Sequence, residues 1–199
     1  AALLRHAAVS HQHEPLAVRA LEAGKNAISE KPVTLTVASF EQIIAAANKS
    51  GKLFTVHQNR RWDVDHLAIK QVYESGEIGE VFNLESRIHG SRGIPSDWRG
   101  QKEYGGGMLF DWGVHLIDQA LQTMKGKIVS VYCRFSHITN EEVDDGFKLE
   151  LTFENGATAY IEVGTYNFIA LPRFYMQGRN GTALISDWRE KCKVVKCKH

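Results

Sequence analysis

Three cysteines in 199 residues, Cys133, Cys192 and Cys197, are too few and too irregularly spaced for a disulfide framework. Cys192 and Cys197 have no second ligand pair near them, so no zinc site is expected. Reduced thiols in a cytoplasmic protein are the plain expectation. No apolar run approaches a membrane span, and the first residues lack a signal-peptide pattern, so no membrane partner is expected. A charge excess is missing as well: 24 Lys and Arg against 23 Asp and Glu leave a net charge of +1. That balance gives nucleic acid or anionic lipid no electrostatic hold on the chain. No internal repeat or low-complexity tract is present. The locally basic stretch from Arg189 to His199 reads as a solvated or frayed end.

What is present is 43% hydrophobic content, enough to bury a core. Leu16, Ala17, Ala20 and Leu21 recur at helical spacing and predict a helix over Glu14 to Gly24. Asn26 to Ser29 reads as a strand. Phe40, Ile43, Ile44 and Ala47 place a second amphipathic helix over Thr36 to Ser50, with Gly51 as its stop. Leu53 to His57 is a further strand. This β–α–β–α–β rhythm implies parallel strands with crossover helices. After Arg60 the pattern changes. A helix is expected over Val64 to Glu74, a strand over Val81 to His89 and a long helix over Gly105 to Met124. Beyond Lys127 the chain is rich in strands. Phe147, Leu149, Leu151 and Phe153 alternate with polar residues, and Asn155-Gly156 and Asn180-Gly181 mark hairpin turns. The expectation is α/β followed by α+β: residues 1–60 as a parallel domain, and residues 61–199 as a mostly antiparallel open sheet covered by helices. The site then falls in the crevice between them.

Gly105 to Asp118 carries the densest chemistry. Its three glycines permit a sharp turn and close backbone approach. Asp111 and His115 are spaced i, i+4 and share a helix face, with Asp118 following at i+7. A carboxylate beside an imidazole orients the ring and raises its proton affinity, which suits a general acid/base acting on a hydroxyl. The spacing alone equally fits a helix cap with a solvated face. Glu30-Lys31-Pro32 ends a predicted parallel strand, where ligands bind, and Pro32 restricts the backbone of Lys31. A surface pair with Glu30 is the plainer alternative. Ser10-His11-Gln12-His13 invites a metal reading, but no further ligand cluster lies nearby, so no metal is expected. His57 to Trp62 offers amide and guanidinium groups to a substrate or phosphate, or serves as a linker. Ser96-Asp97-Trp98-Arg99-Gly100 pairs an aromatic face with a guanidinium, which suits a sugar ring or a packed surface loop.

Taken in order, the stretch from His13 to Lys25, Glu30-Lys31-Pro32, Asn59-Arg60-Arg61, Glu80-Val81, Trp98-Arg99 and the stretch from Gly106 to Asp118 resemble the Gfo/Idh/MocA oxidoreductases. That family includes glucose–fructose oxidoreductase and inositol 2-dehydrogenase. The resemblance implies a Rossmann-like cofactor domain that binds NAD or NADP. It implies hydride transfer to or from a sugar, polyol or related hydroxy compound. It makes Lys31, Asp111 and His115 catalytic, with Lys31 on the reacting oxygen and Asp111 orienting the general acid/base His115. Ser10, His11, His13, Glu30, Lys31, Pro32 and Asn59 would line the cofactor, and Trp98 and Arg99 would join the catalytic trio around substrate. The open sheet would make a homodimer or homotetramer.

The sequence departs from that pattern at its start. No G-x-G-x-x-G is found there, nor the acidic residue that reads the ribose hydroxyls. Residues 1–9 read poorly as the expected strand. The expectation is therefore a partial Rossmann-like domain, with a Gly-rich strand–turn–helix encoded upstream of Ala1 and a C-terminal sheet that stops early. The alternative to an active dehydrogenase is a non-catalytic sugar- or nucleotide-binding relative on the same scaffold.

Overall fold

Short apolar strands alternating with amphipathic helices build the first layer. The computed structural model describes residues 3–6 and 10–197. Strands β1 (Leu3–His6), β2 (Asn26–Ser29) and β3 (Phe54–Val56) form a parallel sheet in that order. Helices α1 (His13–Glu22) and α2 (Val37–Ser50) make the two crossovers that parallel pairing requires. The Thr36 hydroxyl accepts the Ser39 amide at 3.1 Å and caps α2, and Gly51 closes it in the left-handed region. Ala17, Leu21, Ala27 and Ile43 are fully buried between helices and sheet. Burying Leu21 and Ile43 contributes about 1.5–3 kcal/mol each.

The second layer is a seven-stranded sheet in the order β10-β9-β8-β4-β7-β6-β5. Its members are β4 (Val81–His89), β5 (Ile128–Ser136), β6 (Gly146–Phe153), β7 (Thr158–Gly164), β8 (Phe174–Gly178), β9 (Gly181–Ile185) and β10 (Lys193–Lys196). Among the described residues of this sheet only β4 and β7 pair in parallel, so their carboxyl ends emerge side by side. Helices α3 (Val64–Ser75) and α4 (Val114–Thr123) cover one face. Ile69, Leu116 and Ala120 pack there on Leu84, Phe147, Ala159 and Ile161. Beneath α4 lies an ionic core. Arg173 pairs with Asp65 at 3.0 Å and donates to the Ser86 hydroxyl at 2.6 Å and to Gln119 Oε1 at 2.8 Å. Burial brings the Arg173 guanidinium down to about 10.

Three expectations need correction. Residues 3–6 do form a strand, in parallel register with β2 (Leu3 opposite Asn26), although their side-chain pattern is a poor strand signal. The basic end is not simply frayed: Lys193–Lys196 pairs with β9, and Val194 packs against the core. The long helix does not begin at Gly105. Gly105 closes a 3-10 turn, and Leu109–Gly113 forms a single π-helical turn that leads into α4. The reason is crowding. A Cβ on Gly106 would stand 2.3 Å from the Arg99 carbonyl oxygen, and one on Gly107 (φ 107°) would stand 2.3 Å from Asp144 Oδ1. The backbone passes through a gap that only glycine fits.

Candidate active site

The site forms where the carboxyl ends of β2 and β3 meet the π turn. Pro32, after Lys31, has its carbonyl fixed by the buried His13, whose Nδ1–H donates to it at 2.6 Å. Alongside, His57 Nδ1 lies 3.0 Å from Glu30 Oε1, tying the ends of the two strands together. Lys31 Nζ then reaches across to donate to the Asp111 main-chain oxygen at 2.7 Å and to Asp111 Oδ1 at 2.9 Å. The other oxygen of Asp111 accepts from Arg99 Nε at 3.1 Å, and Arg99 is itself tethered to Asp97 at 2.6 Å. One carboxylate is therefore held between two cations. Lys31 has three N–H donors, and this leaves one uncommitted among the described residues.

The π turn itself hangs from Asp144. The main-chain oxygen of Asp144 accepts the Met108 amide at 2.9 Å, and its Oδ2 accepts the Leu109 amide at 2.8 Å. Burial raises the Asp144 carboxyl to about 6, opposed by those amide hydrogen bonds.

His115 lies on the first turn of α4 and is buried. Its Nδ1–H donates to Gln58 Oε1 at 3.0 Å, and Gln58 is held in turn by the Val114 carbonyl at 3.4 Å. Because an amide oxygen only accepts, this bond sets the tautomer and leaves Nε2 as the basic nitrogen. Burial, then the positive charges of Lys31 and Arg60, depress the imidazole to about 3. The expected pairing of Asp111 with His115 is thus corrected twice. Asp111 spends its carboxylate on Lys31 and Arg99, and Gln58 orients the ring instead. The attraction of Asp111 for a proton on His115 is outweighed, so the proton affinity falls rather than rises.

Beside these residues opens a cleft of about 940 Å³, at the carboxyl ends of β4 and β7. Asp111, Trp112 and Met108 form one wall, and Arg60, Arg92 and Trp188 are among its other lining residues. Lys31 and His115 do not line it. Lys31 joins it through Asp111, and His115 lies behind Trp112, with ring centroids 6.2 Å apart. Arg60 stacks on Trp112 at 4.2 Å, and Trp112 lies 5.8 Å from Trp188. Trp188 is also flanked by Arg173 at 4.7 Å, so two indoles and two guanidinium groups cluster beside the cleft.

The remaining candidates are dispersed. Trp98 presents its ring to its neighbour Arg99 at 4.6 Å and does not line the cleft. Exposed His11 meets Tyr104 at 5.6 Å, bridging the two parts of the chain. Asn59 is exposed at the start of a 3-10 turn, and the side chain of Ser10 lies outside the described residues. Asp118 is taken by Arg61 through two bonds of 2.7 and 2.6 Å. Among the described residues, no group of three His, Cys, Asp or Glu side chains converges as a metal site would. No helix among them is long and apolar enough to cross a membrane. Sequence reasoning passed over Asp144 and Trp188, and it offered Gln58 only within the stretch His57 to Trp62, to a substrate or phosphate rather than to His115. Gln58 had a signal, because it follows a parallel strand, whereas Trp188 reaches the site only through tertiary packing.

A parallel sheet whose strand ends face an open, helix-backed and mostly antiparallel sheet, with a lysine–carboxylate pair at the junction, defines a two-part α/β architecture. Comparison with known families gives the particular group. Residues 6–58 match the oxidoreductase family, NAD-binding Rossmann fold, and residues 66–184 match the GFO/IDH/MocA C-terminal domain. The chain belongs to the GFO/IDH/MocA oxidoreductase family. It is 41% identical over 120 residues to the uncharacterized oxidoreductase YdgJ of Escherichia coli, covering 60% of this chain and 34% of that one. It is 29% identical over 163 residues to the scyllo-inositol 2-dehydrogenase (NADP(+)) IolW of Bacillus subtilis, covering 81% and 45%. The crystal structure of an NAD-binding protein from Listeria innocua superposes with a TM-score of 0.95 at 51% identity, covering 98% of this chain and 56% of that one. The chain thus spans from about a third to a little over half the length of these relatives.

Proposed function

We propose that this chain carries the chemical half of an NAD- or NADP-dependent dehydrogenase that oxidises a hydroxyl of a sugar, polyol or related compound, or reduces the matching carbonyl. One observation carries the reading: Lys31 is locked by Asp111 with one N–H to spare, next to a histidine held neutral with its Nε2 lone pair free. The spare N–H of Lys31 donates to the reacting oxygen. His115 Nε2 takes the hydroxyl proton as the carbon is oxidised, and Gln58 keeps the ring in the right tautomer. Asp111 and Arg99 are positioning residues that hold Lys31 in place.

The donor set at the ends of β2 and β3 fits the nicotinamide end of the cofactor. The Glu30 carboxylate suits ribose hydroxyls, with Lys31, Pro32 and His11 beside it. The bound nicotinamide supplies the hydride acceptor or donor. A cytoplasmic homodimer or homotetramer, joined through the sheet face opposite α3 and α4, completes the reading. Fluorescence titration with NADH and NADPH, followed by an oxidation screen of sugars and polyols, tests it. Saturable binding of either nucleotide with turnover of at least one compound is expected. Binding without turnover across the panel would favour a non-catalytic relative instead.

A further inference from the structure

Among the described residues the cleft carries more arginines than carboxylates, and the proposed chemistry does not use the excess. Three guanidinium groups line it: Arg60, Arg92 and Arg189. Two carboxylates line it among the described residues, Asp111 paired with cations and Asp187 held by a main-chain amide. Asp111 is held by Lys31 and Arg99, and Asp187 Oδ1 accepts the Arg189 amide at 3.3 Å within its own turn. Among the described residues, the guanidinium groups of Arg92 and Arg189 have no hydrogen bond or ion pair. Both side chains are exposed, and only the backbone beside each is anchored. Arg92 lies between Gly90 and Gly93, whose amides donate to the Gly164 and Thr165 carbonyls at 2.8 and 2.9 Å. Arg189 follows Trp188, which is packed against Trp112 and flanked by two arginines.

Two exposed, unpaired guanidinium groups on one cleft suit an oxyanion better than a neutral sugar. We propose that the substrate carries an anionic group, either the carboxylate of a sugar acid or a phosphate ester, and that Arg92 and Arg189 bind it. This rests on the dehydrogenase reading for its reactive end, on the Asp111 side of the cleft, through which Lys31 joins it. Arg60 adds positive charge but is already paired with Asp63 at 3.0 Å and stacked on Trp112.

Trp112 and Trp188 line the cleft, so binding is readable without turnover. The experiment is a tryptophan-fluorescence titration of the full chain with glucose, glucuronate, glucose 6-phosphate, citrate and inorganic phosphate. It is repeated on the Arg92→Gln/Arg189→Gln double variant. At least one anionic probe should half-saturate at a concentration at least about ten-fold below glucose, and the preference should vanish in the variant. Whether glucuronate or glucose 6-phosphate binds more tightly separates carboxylate from phosphate. Equal response to glucose and the anions, no saturable response to any anion, or a preference that survives in the variant would overturn the proposal. Anion binding lost in the variant, without oxidation of any compound, would leave the subsite standing and count against the dehydrogenase reading alone.

Discussion

Lys31 and Asp111 are 80 residues apart in sequence, yet their pairing holds the site together, and a double-mutant cycle measures it. At 2.9 Å the Coulomb attraction is about 6 kcal/mol with an effective dielectric near 20, before desolvation is subtracted. Both side chains are mostly buried, at 19% and 13% exposed, so solvent screening is limited. Neither single change strands its partner. Lys31→Met leaves Asp111 with Arg99, and Asp111→Asn leaves Lys31 donating to the main-chain oxygen. Each single variant should therefore cost about 1–3 kcal/mol rather than the larger sum for an orphaned buried charge. The coupling energy, read by urea denaturation of the two singles and the double, should be about 1–3 kcal/mol. A coupling below about 0.5 kcal/mol would refute the claim that this contact ties the parallel sheet to the π turn.

Other consequences follow from the same geometry. The folded-state proton affinity of His115, at about 3, lies below the unfolded value of 6.5, so the unfolded chain binds the proton first. Its contribution is complete above pH 6.5 and is lost as pH falls towards 3, up to about 3 kcal/mol by pH 4. An NMR titration should show the ring neutral down to about pH 4, and a midpoint near 6.5 would contradict the burial argument. Asp144 has the opposite sign: raised to about 6, it costs stability as pH rises through that value. Asp144→Asn keeps an acceptor for the Leu109 amide, so thermal unfolding at pH 8 should show it more stable by about 1–2 kcal/mol after allowance for screening. A loss of stability at pH 8 would show that the charge itself is needed. Gly106→Ala sets a Cβ 2.3 Å from the Arg99 carbonyl oxygen and should destabilise by about 2–4 kcal/mol, measured by denaturant midpoint. A neutral result would mean that the loop gives way freely.

The regular elements were legible because their side chains repeat at the period of the structure. Asn26–Ser29 and Val81–His89 appear with the predicted bounds, and α1, α2 and α3 within about two residues of theirs. The π turn was not legible. Its cause is the backbone of Arg99 and the Asp144 carboxylate pressing on Gly106 and Gly107, contacts formed by distant segments. The same holds within the site. An i, i+4 spacing places Asp111 and His115 near each other but does not say which neighbour takes the carboxylate. Lys31 and Arg99 win because charge-assisted bonds to two cations outcompete a neutral imidazole. Trp188 and β10 were missed because a basic, Cys-containing stretch gives little alternation, and Val194 packs only once β9 is in place.

The central claim is that Lys31 and His115 act on the reacting oxygen. It is tested most directly by steady-state turnover of Lys31→Ala and His115→Ala, with a substrate from the oxidation screen and nucleotide affinity measured in parallel. Each variant should lose roughly 10²–10⁴-fold in kcat while keeping a cooperative unfolding transition, with near wild-type nucleotide binding in His115→Ala. Near wild-type kcat in both folded variants would contradict it.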